Sequence, residues 1–182
     1  MKHGTYAVEL LLSDSIEEAI KRAQAIETFN EDRKALDRDI TEQALAQIEE
    51  SGQTDKASTV VYDPDWHKGV IGIVASRLIE THYKPTVVFT RSGNVLTASA
   101  RSVRGFDLYA ALAACQDHII HFGGHKYAAG LTICPEQYDG FCQRFEEVVS
   151  KQIQPEQQER TLSIDMEIPL SLIHISEPTR PY

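Results

Sequence analysis

The sequence predicts an α/β fold: a long N-terminal connector helix, then a compact domain of alternating strands and helices built around a mixed sheet. Three observations carry that prediction. Residues 13–50 contain neither Pro nor Gly and repeat apolar residues at helical spacing. Residues 57–134 switch between short β-branched runs and helix-period segments. Two of those runs flank Ser92-Gly93-Asn94, a hairpin-type turn.

Taken in order, the first element places Ile16, Ile20, Ala23, Ile26 or Phe29, Leu36, Ile40, Ala44 and Ile48 on one stripe, with charges on its other faces. Ser13 with Glu17 close behind gives a start and Ser51-Gly52 a stop. Such a helix, or near-continuous helical pair, runs about 55 Å at ~1.5 Å per residue. That exceeds what the following domain can cover, so part of the stripe faces either a body absent from this chain or solvent, as a coiled-coil-like arm. ASTVVY at 57–62 reads as a buried strand, and GVIGIVASRLIE at 69–80 as a helix with Val70, Val74 and Leu78 on one stripe. Gly72 and Ala75 allow that helix to pack closely. TVVFT at 86–90 and VLTASA at 95–100 are the hairpin strands, and Asp107 caps a helix running to Cys115. Leu131 to Cys134 closes the sheet, and Pro135 opens a final helix ending near Ile153. Beyond the polar linker 154–160, TLSIDMEI at 161–168 alternates like a strand. One strand cannot stand alone, so it belongs to a further domain or pairs with the preceding sheet.

Composition narrows the function classes. Hydrophobic residues make up 42% and charged residues 25%, as in an ordinary globular chain. No apolar run approaches the ~18 residues of a membrane span, and no signal-peptide pattern opens the chain. The three cysteines, Cys115, Cys134 and Cys142, are odd in number and form no CxxC pair, which disfavours a disulfide frame or a zinc site. A reducing cytoplasm fits best. The net charge of −9 argues against a nucleic-acid partner until its distribution is read. Residues 1–65 carry 7 Lys and Arg against 15 Asp and Glu; residues 66–130 carry 7 against 3; residues 131–182 carry 4 against 9. The middle segment alone is basic, and an anion responds to the field within a Debye length of ~10 Å.

That basic segment ends in Phe122-Gly123-Gly124-His125-Lys126-Tyr127-Ala128-Ala129-Gly130. Adjacent glycines let backbone N–H groups approach a phosphate, and the small residues that follow leave access open. A tight turn carrying a surface histidine fits the same residues. His67, just ahead of a predicted helix, is placed to contact a substrate or to cap the helix. Arg77 lies on another face of that helix, where a surface ion pair is the simpler reading. Ser99-Ala100-Arg101-Ser102 ends a strand, and an arginine flanked by hydroxyls suits bidentate phosphate contact as well as an ordinary loop. Tyr127 and Phe106 are candidates to stack on bases or to fill the core. His118, His121 and His125 are spaced by three and four, but with only Asp117 nearby they make a poor metal stripe. Metal-assisted phosphodiester hydrolysis gathers several Asp and His ligands. No DHH or Asp-x-Asp cluster is read in the chain and the acidic residues lie mostly on the long helix, interleaved with Lys and Arg, so neither catalytic residues nor metal ligands are assigned to this chain.

WHKGVIGIVASRL (66–78), SARS (99–102), GFDLYAALAAC (105–115) and FGGHKYAAGLTI (122–133), in that order, resemble the DHH-associated (DHHA1) domain of the RecJ-type single-stranded-DNA exonucleases, in the DHH family. The resemblance implies a division into four parts. Residues 1–56 are the end of a DHH domain and a connector helix. Residues 57–153 are the DHH-associated substrate-binding domain, and 154–170 a linker with the first strand of a truncated OB fold. The last twelve residues, 171–182, look like a translated sequencing-library adapter, which implies a non-native tail on a gene fragment truncated at both ends.

The implied activity is 5′→3′ degradation of single-stranded DNA in repair and recombination. Manganese or magnesium would sit in a DHH domain in cis that is missing here. Carried over by motif, Arg101, Gly123, Gly124 and His125 hold DNA phosphates, with Ser102 and Lys126 beside them and His67 and Arg77 as supporting contacts. The implied protein is a monomer with no membrane partner. Two other classes remain: a DHH-family phosphoesterase acting on short oligonucleotides or nucleoside bisphosphates, and a non-enzymatic module related to the domain appended to alanyl-tRNA synthetases. The connector helix and the strand at 161–168 favour the exonuclease.

Overall fold

The computed structural model describes residues 4–161 together with 164, 166 and 167. The expected tail at 171–182, residues 1–3 and half of the strand expected at 161–168 lie outside the described residues. The rest is α/β, with a long N-terminal helix and a five-stranded mixed sheet.

A short helix α1 (Thr5–Leu11), which the periodicity did not separate from the long one, precedes α2 (Ile16–Glu50). The Ser13 hydroxyl donates to the Glu9 carbonyl and so belongs to the end of α1. Ser15 is the cap of α2, its Oγ accepting from the Glu18 N–H at 3.2 Å. Tyr6 of α1 meets Phe29 of α2 edge-to-face at 5.6 Å. At ~1.5 Å per residue α2 spans about 52 Å. Its burial is lopsided: Asp37, Ile40, Ala44 and Ile48 are buried, whereas Ile16 is 80% exposed.

Strand β1 (Thr59–Tyr62), helix α3 (Ile71–His82) and strand β2 (Thr86–Ser92) make a parallel βαβ unit. Strand β3 (Val95–Arg101) returns antiparallel through the Gly93 turn, and α4 (Leu108–Ala113) follows, capped by Asp107 as the sequence predicts. The sheet is completed by β4 (His121–His125) and β5 (Ala128–Ile133), and α5 (Tyr138–Gln152) follows a single 3₁₀ turn begun by Pro135. Strand order is β1-β2-β3-β5-β4.

Two cores sit on opposite faces of this sheet. Val60, Val87, Phe89, Leu96, Ala98, Ala100, Leu131 and Ile133 face α4 and α5, where Phe89, Phe141 and Phe145 interlock. Val61 and Val88 face α2 and α3, meeting Ile40, Ala44, Ile48, Val74 and Leu78. The exposed edge of β1 is closed by side chains: Gln47 exchanges two hydrogen bonds with Tyr62 (2.9 and 3.0 Å), and the Val60 N–H donates to Gln53 at 2.8 Å. Glu146 of α5 accepts from the N–H groups of Ala57 and Ser58 at 2.8 and 2.9 Å, fixing where the sheet begins.

Candidate nucleic-acid interface

The glycine-histidine stretch is not a loop. It forms β4, an edge strand paired antiparallel with β5, which itself begins at Ala128 rather than Leu131. Glycines carry no side chain for an alternation pattern to register, so the sequence hides this strand.

Register and alternation then place the candidate residues. One row crosses the sheet through Val61, Val88, Ser99, Gly130 and Gly123, and the next through Thr59, Thr86, Arg101, Ala128 and His125. Both rows lie on the α2/α3 face. Helix α3 packs over β2 and β3. Beyond it Gly123, His125, Gly130 and His121 are exposed, and Ala128 and Thr132 are half-buried. The result is an open floor of small residues across β5 and β4, with Arg101 and His125 about 10 Å apart at two strand spacings.

Arg101 stands where this floor meets α3. Its Nη1 donates to the Ser99 hydroxyl at 3.0 Å and to the Ala100 carbonyl at 2.9 Å. A Cβ placed on Gly72, in the first turn of α3, would sit 3.1 Å from both Arg101 Nη2 and Ser99 Oγ. The bare glycine therefore lets the guanidinium rest against a helix N-terminus that no side chain caps. Burial pulls the Arg101 pKa below the usual arginine value, and among the described residues it enters no ion pair. A half-buried cation with only neutral partners, beside a helix N-terminus without a side-chain cap, is suited to an anion.

The two glycines of β4 do different work. At Gly123 an added Cβ would meet nothing within 4 Å. At Gly124, with φ +148°, it would lie 2.3 Å from the Ala128 carbonyl oxygen and 2.5 Å from Ala129 Cα. Gly124 is thus required by the hairpin, and Gly123 is spare floor. The hairpin tip, Lys126-Tyr127, is held by Leu108 N–H donating to the Lys126 carbonyl and Ser102 N–H to that of Tyr127, at 3.1 and 3.0 Å. The Ser102 hydroxyl is turned inward to the Val103 and Phe106 carbonyls. His125 Nδ1 accepts from the Tyr127 N–H at 3.3 Å, which leaves its ring exposed at the end of the floor.

The remaining candidates have other partners. His67 caps the turn before α3, its Nδ1 accepting from Gly69 N–H at 3.0 Å, and remains exposed. Arg77 points to α2. Its Nε reaches both oxygens of Asp37 at 3.0 and 2.9 Å and its Nη2 lies 2.7 Å from Oδ2; Asp37 is 1% exposed and the Arg77 side chain 45%. Sequence reasoning missed this partner because forty residues separate the two. Phe106 is core, whereas Tyr127 is exposed. His118 packs on Gly140 and bonds Gln137 at 2.7 Å, leaving the histidine stripe.

The reading that the chain has no Asp-x-Asp spacing is wrong: residues 37–39 and 63–65 each form one. Asp37 holds Arg77, and Asp63 accepts from the Asp65 N–H at 2.8 Å. Among the described residues no group of three or more His, Cys, Asp or Glu side chains is placed to hold a metal ion. Nor is there an activated thiol at Cys115 or Cys142, each pushed up to about 11 by burial. Among the described residues no helix is long and apolar enough to cross a membrane.

Residues 55–151 match the DHHA1 domain. The chain is 36% identical over 152 residues to the single-stranded-DNA-specific exonuclease RecJ of Bacillus subtilis, covering 82% of this chain and 19% of that protein. It is 35% identical over 156 residues to the Escherichia coli protein of the same description, covering 81% and 27%. The solved structure of Thermus thermophilus RecJ in complex with Mn2+ matches with a TM-score of 0.72 at 28% identity, covering 81% of this chain and 22% of that one. A structure of exonuclease RecJ bound to manganese matches with a TM-score of 0.74 at 27% identity, covering 85% and 38%. The chain thus spans less than a third of the length of these curated relatives. The chain belongs to the DHHA1 domain family.

Proposed function

We propose, from the premise that this DHHA1-family chain is similar to RecJ over most of its length, that it supplies the strand-holding wall of a metal-dependent 5′→3′ single-stranded-DNA exonuclease of DNA repair and recombination. The observation that carries the reading is Arg101: a half-buried guanidinium bonded only to neutral groups, against the uncapped N-terminus of α3, at the head of an open glycine floor. A DNA phosphate completes that arrangement. Gly123 and Gly130 give the backbone clearance, and His125 and Lys126 flank the far end. His67 supports from the turn before α3. Arg77 acts through the fold, by fixing α2 on α3. Residues 57–153 are the substrate-binding domain in this reading, joined through 1–56 to a DHH domain in cis that holds manganese or magnesium, and through 154–170 to an OB fold. The protein works as a cytoplasmic monomer.

Fluorescence anisotropy of the purified chain with single-stranded DNA, RNA and a dinucleotide tests this reading. Arg101→Ala is expected to weaken DNA binding by more than about tenfold, the loss of one charge-assisted contact. Affinity should fall steeply with salt, thermal unfolding should be unchanged, and no manganese-dependent degradation should occur. Equal binding of all three ligands that ignores Arg101 would remove the assignment.

A further inference from the structure

Around the β4–β5 hairpin tip, outside the phosphate floor, aromatic rings are left in solvent beside cations. Tyr109 of α4 is 45% exposed and Tyr127 of the tip 44%. Tyr109 leans on Phe122 of β4 with ring centroids 5.2 Å apart at 51°. Lys126 Nζ lies 5.7 Å from the centre of the Tyr127 ring. The Leu108 N–H to Lys126 carbonyl bond ties these two pairs into one surface, because Tyr109 and Tyr127 are the neighbours of the bonded residues. Arg104 is exposed in the loop that the tip holds. Among the described residues neither Lys126 nor Arg104 enters an ion pair, and the acid nearest Arg104 in sequence, Asp107, spends its carboxylate capping α4 at the Ala110 N–H.

We propose that Tyr109, Phe122 and Tyr127, with Lys126 and Arg104 beside them, form a base-stacking station for single-stranded nucleic acid. Two features favour this occupant over an apolar protein partner. The rings are interleaved with unpaired positive charge, which suits a polyanion whose bases present π-faces. β4 is also an edge strand, so a strand whose phosphate sits at Arg101 can turn about that edge, from the side that carries Gly123 and His125 to the α4 side that carries Phe122, and lay its bases on the rings. The inference rests on the proposed function and adds how bases, rather than phosphates, are held: by stacking, which tolerates any sequence.

The test compares a thymidine 20-mer with an abasic-spacer 20-mer of equal charge, by anisotropy on the full chain. The Tyr109→Ala, Tyr127→Ala double variant should bind the thymidine strand about tenfold more weakly and the abasic strand as the parent does. The Tyr109→Phe, Tyr127→Phe variant, which keeps the rings, should match the parent on both. Arg101→Ala should weaken both strands alike. If the double alanine variant changes neither affinity, or lowers both equally, the stacking station is overturned while the phosphate site stands. If Arg101→Ala changes neither affinity, or the parent chain binds neither strand, the underlying reading fails and the stacking station with it.

Discussion

One face of one sheet is built in two ways. Under α2 and α3, the row that begins Val61, Val88 is apolar and covered; it crosses β3 at Ser99, half-buried beneath Gly72 of α3, and on the outer strands becomes Gly130 and Gly123 and lies open. The contrast extends to arginine. On the covered side Arg77 is fixed to a buried carboxylate by three short contacts, and at the boundary Arg101 touches only a hydroxyl and a carbonyl. An arginine that finds a carboxylate within the fold stabilises the fold. One held half-buried without a carboxylate is, on the proposed reading, completed by an anion from outside. Side-chain identity alone does not separate the two roles; the partner does.

The comparison can be broken at four points, taken from the largest effect down. Gly124→Ala should cost at least about 3 kcal/mol, because the methyl group would overlap the Ala128 backbone at a φ that L side chains rarely adopt; chemical denaturation measures it, and a loss under ~1 kcal/mol would contradict the hairpin geometry. Arg77→Ala strands the buried Asp37 carboxylate and should cost about 2–3 kcal/mol, below the ~3–5 of a fully buried pair because Arg77 is half in solvent. Arg101→Ala, measured in the same way, should change stability by less than about 1 kcal/mol, since no buried charge loses its partner. Gly123→Val should leave stability within about 0.5 kcal/mol, having open space to occupy, yet weaken single-stranded DNA binding severalfold by raising the floor. Stability effects of equal size at Gly123 and Gly124 would erase the distinction between them.

Much of this was legible in the sequence, and the exceptions share a cause. Helical spacing from Ile16 to Ile48, the Gly93 turn and the Asp107 cap are local patterns, and each element formed where its pattern lay. The exposed N-terminal part of the α2 stripe also matches the expectation that the domain could not cover it. What the sequence concealed was set by pairing across the chain. β4 has two glycines where a strand would show alternation, and only β5 makes it a strand. Arg77 looked like a surface residue because its carboxylate lies on another helix. The floor itself needed the register, since nothing local says that Ser99, Gly130 and Gly123 fall in one row.

The most direct measurement is an amide chemical-shift map of the chain titrated with a short 5′-phosphorylated single-stranded oligonucleotide. Gly72, Ser99, Gly123, Ala128 and Gly130 should move together, with α5 unmoved, and the shifts at Gly72 and Ser99 should vanish in Arg101→Ala. An oligonucleotide that binds without moving Gly72, Ser99 or Gly123 would contradict the account.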